Sequence, residues 1–97
     1  RQLSPELANS VLPINQHVQA LLNRRLRALD LRWDFSQQIL LHLSLQGYFV
    51  DLQQFLTVLV NNVPTLSLTQ LNIEKLDGEE NASITCELIF QLNKDKQ

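Results

Sequence analysis

The sequence predicts an α+β domain: a ferredoxin-like two-layer sandwich in the permuted order αββαββ, its four-stranded antiparallel sheet carrying both helices on one face. Three observations predict it. Four stretches alternate apolar and polar residues with period two, as half-buried strands require. Two stretches place apolar residues at intervals of three and four, as amphipathic helices do. Their order is one helix-plus-hairpin pattern written twice, so that two such units can share a single sheet.

Taken in chain order, Ser4, Pro5 and Glu6 read as a helix start, and Leu3, Leu7 and Val11 keep near-heptad spacing until Pro13, which is expected to interrupt it. Residues 1–12 are therefore expected to be the end of an upstream stalk or linker, and 13–97 the domain. Ile14, Val18, Leu21, Leu22 and Ala28 form the stripe of the first helix, with Asn23, Arg24, Arg25 and Arg27 on its polar side. Leu29, Leu31, Trp33 and Phe35 then alternate with Asp30, Arg32 and Asp34 as a first strand. Residues 36–38 are few enough to close a hairpin onto a second strand, whose inward residues are Ile39, Leu41, Leu43 and Leu45. Leu40 alone breaks its alternation.

Gly47 ends that strand, and Asp51 stands where a helix N-terminus favours a capping or charged carboxylate. Leu52, Phe55, Leu56, Leu59 and Val60, followed by Val63, make the apolar stripe of the second helix, and Pro64 stops it. Leu66 and Leu68 alternate as a third strand, while Leu71 and Ile73 continue one residue out of phase, which places a bulge near Thr69 and Gln70. Asp77-Gly78 signals a tight turn before a fourth strand built on Ile84, Cys86, Leu88, Phe90 and Leu92. The outer sheet face then carries Asp30, Arg32, Asp34, His42, Ser44, Gln46, Asn72, Glu74, Thr85, Glu87 and Gln91, with Leu40 and Ile89 as apolar exceptions that point to a partner surface.

Composition narrows the function classes. The chain has 97 residues, 44% hydrophobic and 19% charged, with two Gly and three Pro, which suits one small core. The formal charge of −2 divides unevenly: residues 1–48 hold five Arg against three acids, a net +2, and residues 49–97 hold three Lys against seven acids, a net −4. A general polyanion binder would show a basic stripe and a high isoelectric point. Nucleic-acid stacking is disfavoured too, since Trp33, Phe35 and Phe90 fall on the inward phase. The single Cys86 excludes an intrachain disulfide and reads as an inert core thiol. No run of about 18 apolar residues is present, and no signal peptide is visible.

Candidate chemistry is sparse. His17 belongs to the first helix as a solvated or half-buried side chain, whereas His42 can meet Asp30, Arg32 or Asp34 across a hairpin. A Ser44, His42, Asp34 grouping has the residue types of a hydrolytic triad but no nucleophile turn or oxyanion hole. His42 with acids falls short of the three or four convergent ligands zinc requires. Asp77, Glu79 and Glu80 form an acidic hairpin tip without the ligand spacing of a calcium loop. Asn81-Ala82-Ser83 matches the glycosylation acceptor pattern, which is short enough to arise by chance. No catalytic, cofactor-binding or metal site is expected.

The segment from Leu41 through Gly47, Tyr48, Asp51, Leu52, Phe55 and Leu56 resembles the periplasmic domain of PilO-type inner-membrane proteins of type IV pilus machines and, more distantly, GspM-type proteins of type II secretion. Pro64 and Leu71-Asn72-Ile73 extend the match, which covers about Leu21 to Leu92; Thr65 stands in place of the basic-acidic pair that often follows this Pro. The resemblance implies a single-pass inner-membrane protein of bacteria with this domain in the periplasm. It also implies a non-catalytic scaffold that dimerises with itself and with a PilN-like or GspL-like partner, helping couple a cytoplasmic motor to the pilus. The interface is expected along the first helix at Gln16, Gln19, Asn23 and Arg27, or at a sheet edge, or at Leu40 and Ile89. The alternative is an ACT-like regulatory domain that senses a small molecule at a strand-to-helix turn, here Gly47.

Overall fold

A computed structural model describes residues 5–75 and 83–93, with side chains from Val11 onward. Two helices, α1 (Pro5–Leu21) and α2 (Phe49–Asn62), and four strands, β1 (Leu26–Asp34), β2 (Leu40–Gly47), β3 (Leu66–Lys75) and β4 (Ile84–Leu92), follow in the order αββαββ. The strands form one sheet in the order β1-β2-β4-β3, and each neighbouring pair is antiparallel. This is the predicted permuted two-layer sandwich. The Asp77-Gly78 turn, the acidic tip and Asn81 lie outside the described residues.

The core joins Ile14 and Val18 of α1, Leu52, Phe55 and Leu59 of α2, and one row from the central strands: Leu41, Leu43 and Leu45 of β2 with Cys86, Leu88 and Phe90 of β4. Period-two and period-3.6 residues meet there, which is the physical reason the helices lie on one side of the sheet. Val60, expected in the α2 stripe, is exposed, because Leu52, Phe55 and Leu59, with half-buried Leu56 packed beside them, fill the stripe's sheet-facing arc.

Several boundaries differ from expectation. Pro13 lies inside α1 and does not interrupt it. Its ring removes one backbone hydrogen bond, yet Val11, Ile14 and Val18 on either side are all buried and hold the helix down on a single line. α1 ends at Leu21, so Ala28, Arg25 and Arg27 are not helical. The Asn23 side chain ends it: Oδ1 accepts from the amides of Arg25 (2.8 Å) and Leu26 (3.3 Å), an Asx-type turn that competes with helix. β1 consequently begins at Leu26, three residues early, and a bulge between Ala28 and Asp30 shifts the register. Ala28 then pairs with Leu45, Leu31 with Leu43 and Trp33 with Leu41, while Leu29 is extruded and 53% exposed. Phe35 falls beyond the strand and stacks on Trp33, ring centroids 6.2 Å apart. The expected β3 bulge is where the phase slip put it, between Leu68 and Gln70, with the Thr69 hydroxyl donating to the Ile89 carbonyl at 3.0 Å.

Gly47 is needed for a close approach. A Cβ there would lie 2.1 Å from the Arg25 carbonyl oxygen and 2.8 Å from Leu26 Cα, so only glycine lets the end of β2 pass the α1–β1 turn. Tyr48 follows as the N-cap of α2 without a side-chain cap bond, and Asp51 in the first turn is occupied elsewhere: it accepts from Arg25 Nε at 3.0 Å.

Candidate functional site

The open face of the sheet is read in rows across the strands. From the registers, Arg27, Gln46, Thr85 and Glu74 make one row; Asp30, Ser44, Glu87 and Asn72 the next; Arg32, His42, Ile89 and Gln70 the third; Asp34, Leu40, Gln91 and Ser67 the last. Each residue assigned to the wet face lies on it, and bulged Leu29 joins the rim of a shallow depression there with Asp30, Glu74 and Glu87.

Among the described residues, this face does not bring the His42, Ser44 and Asp34 side chains opposite one another. His42 sits opposite Arg32, Ser44 opposite Asp30, and Asp34 opposite Leu40. Asp34 serves the hairpin instead: the Ser36 amide donates to Oδ1 at 2.9 Å. That bond and one from the Ser36 hydroxyl hold the Asp34 carboxyl below its ordinary range, with smaller help from the charges of His42 and Arg32. Asp30 pairs with Arg32 at 3.3 Å, both well exposed. Burial pushes the Cys86 thiol up to about 11, helped by the neighbouring Glu87 charge, so it is neutral at physiological pH. Among the described residues no group of three or more His, Cys, Asp or Glu could hold a metal ion, and no helix is long and apolar enough to cross a membrane.

The sequence-predicted interface residues are not brought together. Gln16 and Gln19 are exposed on α1, but Asn23 lies in the turn beyond it and Arg27 on β1, so the four share no helix face. Leu40 and Ile89 do come close, as half-buried diagonal neighbours on the open face beside His42.

A larger apolar surface lies on the helix side of the molecule. β3 is an edge strand, and its helix-side row beyond Leu66 is uncovered: Leu68, Leu71 and Ile73 are 37%, 42% and 41% exposed. On α2, Asp51, Gln54 and Val58 turn towards the end of α1. At 100° per residue the opposite flank carries Phe49, Leu56 and Val60, of which Phe49 and Val60 are exposed. Because α1 is tied to β1 by the Trp33 Nε1–H donating to Asn15 Oδ1 at 2.9 Å, that α2 flank looks towards the β3 edge. Six apolar side chains thus border one uncovered strip, the kind of patch that marks association rather than catalysis. The alternation of β3 announced the row, but not that no described residue covers it.

Comparison with known proteins fits this geometry. The family model for the ComC C-terminal domain matches residues 5–97. Competence protein C of Haemophilus influenzae is 39% identical over 95 residues; the match takes in 98% of this chain and 53% of that protein, so the chain spans about half the length of this curated relative. Among solved structures, the core region of PilO from the type IV pilus system of Pseudomonas aeruginosa aligns with a TM-score of 0.66 at 16% identity, over 86% of this chain and 93% of that one. The type 4 fimbrial biogenesis protein PilO from the same organism aligns with a TM-score of 0.64 at 15% identity, over 94% of this chain and 71% of that one. The fold is therefore the PilO core fold expected from the Gly47–Tyr48–Asp51 segment.

Proposed function

Because the chain belongs to the ComC C-terminal domain family, we propose that it is a non-catalytic scaffold domain of a type IV pilus or related competence assembly platform. The observation that carries this reading is the 39% identity to competence protein C along nearly the whole chain. The PilO core fold supports it from an independent direction. In this reading α1 continues from a stalk that leads to a single inner-membrane span, residues 1–12 being the end of that stalk, and the domain stands in the periplasm. It pairs there with a second copy or with a PilN-like platform protein.

The uncovered strip between α2 and β3 supports association as the mode of action. Leu68, Leu71 and Ile73 are apolar, accessible and aligned beside a strand edge unpaired among the described residues, so a partner gains both apolar burial and backbone hydrogen bonds there. A strand edge this long is otherwise an aggregation hazard, and the bulge at Thr69 and the terminal Lys75 blunt it only in part. Deleting the gene and restoring it in full length tests the platform reading. Loss of surface pili or of DNA uptake, recovered on complementation, is expected; unaltered pili and uptake would contradict it.

A further inference from the structure

At the end of the sheet where β2 passes into α2, three arginines meet around an open recess of about 430 Å³ bordered by Arg24, Arg25, Arg27, Gln46, Tyr48 and Ser83. We propose that this recess docks a carboxylate-rich segment of a partner protein.

The recess is built from held guanidinium groups. Arg25 donates through Nε to Asp51 Oδ2 at 3.0 Å, and its guanidinium carbon lies 5.2 Å from the centre of the Tyr48 ring. Two constraints on one side chain leave its terminal nitrogens oriented and, at 61% exposure, open to solvent. Arg27 is braced by Nη2 donating to Gln46 Oε1 at 2.6 Å. Arg24 makes no hydrogen bond or ion pair to another described residue. Glu74 shares Arg27's row of the open face but stands across Gln46 and Thr85 from it, and Asp30 and Glu87 belong to the next row, so among the described residues Asp51 is the acid that pairs with one of these three cations. Such a concentration of like charge in a chain of net charge −2 is offset best by an incoming anion, and planar guanidinium forks match carboxylates two bonds at a time.

Shape and place select among anions. The recess is open, without the enclosed walls that hold a small molecule, and its cations are spread over a turn and a strand, as an extended acidic peptide requires. Its position also disfavours a lipid surface, an argument that rests on the platform reading above. α1, about 25 Å long in all, passes the Trp33–Leu41 end of the sheet at Asn15, where it is anchored, and ends at the opposite pole in the turn at Asn23. A chain entering from the membrane through α1 therefore carries the arginines at the pole farthest from the bilayer.

The test uses the full chain and a fluorescein-labelled deca-glutamate peptide, with deca-glutamine as the neutral control and phosphatidylglycerol vesicles as a separate arm. Fluorescence anisotropy is expected to show deca-glutamate binding that weakens as salt is raised, weakens at least about tenfold in the Arg24→Gln, Arg27→Gln double variant, and is absent for deca-glutamine. Because both side chains are exposed, the melting temperature of the double variant should stay within about 3 °C of the parent, so a binding loss is not an unfolding loss. Equal binding by parent and variant, no binding of deca-glutamate, or binding to the vesicles alone would each overturn the proposal. So would binding that appears only after Glu79→Gln and Glu80→Gln, since the chain's own acids would then be the competitor at the recess. No pilus component enters the assay, so its failure and a failed platform reading remain distinguishable.

Discussion

The two helix-plus-hairpin units carry the same sequence pattern and bury it differently. In the first, α1 lies over its own edge strand: Leu26 is buried, Leu31 and Trp33 are half-buried, and Trp33 is tied to Asn15. In the second, α2 packs over the middle of the sheet, and only Leu66 of the β3 row is buried. Leu68, Leu71 and Ile73 have the same period, side and chemistry as their β1 counterparts and remain open. Alternation therefore states which face a strand turns inward, while cover depends on where the connecting helix lands. The first unit is closed by its own helix, and among the described residues the second leaves its edge row exposed beyond Leu66.

Substitutions in the shared core should hurt most and will not distinguish the units. Leu59→Ala, at a fully buried α2 position, should cost about 2–5 kcal/mol in urea unfolding. Gly47→Ala comes next, at about 1–3 kcal/mol, because the added methyl must push the Arg25 carbonyl out of the joint between the units. The comparison sharpens at the edges. Trp33→Phe removes the Asn15 partner on the covered strand and should cost about 1 kcal/mol. Leu71→Ala on the uncovered strand should cost less than that in the monomer while weakening any association, so equal costs at the two positions would break the comparison.

Two titrations give smaller effects of known sign. The Asp34 carboxyl is depressed in the folded state, so its contribution is present above the unfolded value near 3.8 and is lost as pH falls through the lower folded value. Asp34→Asn should flatten the acid limb of a stability–pH curve. Cys86 is shifted the other way, to about 11, so its contribution is present below the unfolded value of 9.0 and disappears as pH rises through the folded one. Native protein should react slowly with a thiol reagent at pH 8, and urea-unfolded protein quickly.

Most of the fold was legible in the sequence because most of it is local patterning. The Thr69 bulge could be read, since Leu71 and Ile73 visibly slip phase against Leu66 and Leu68. The bulge at Leu29 could not, because Leu29 itself fits the alternation of Leu31 and Trp33; the extrusion shows only once Ala28 is paired with Leu45. Ala28 and the arginines fit a helical stripe equally well, and the Asn23 turn decided against it. Gly47 was visible as a stop but not as a close approach, which is a tertiary fact. The exposed strip was half legible for the same reason: its residues are in the pattern, and its exposure is in the packing. The arginine recess draws Arg24, Arg25 and Arg27 against Gln46 and Tyr48, some twenty positions away, which no spacing in the chain announces.

Sedimentation equilibrium over a wide concentration range tests the central claim most directly, on the domain alone and mixed with the periplasmic domain of its nearest encoded platform neighbour. The parent chain should self-associate reversibly or form a heterodimer, and the Leu71→Asp, Ile73→Asp variant should stay monomeric with a native far-ultraviolet spectrum. A parent chain that is strictly monomeric and indifferent to the neighbour, or a variant that associates as well as the parent, would contradict the account.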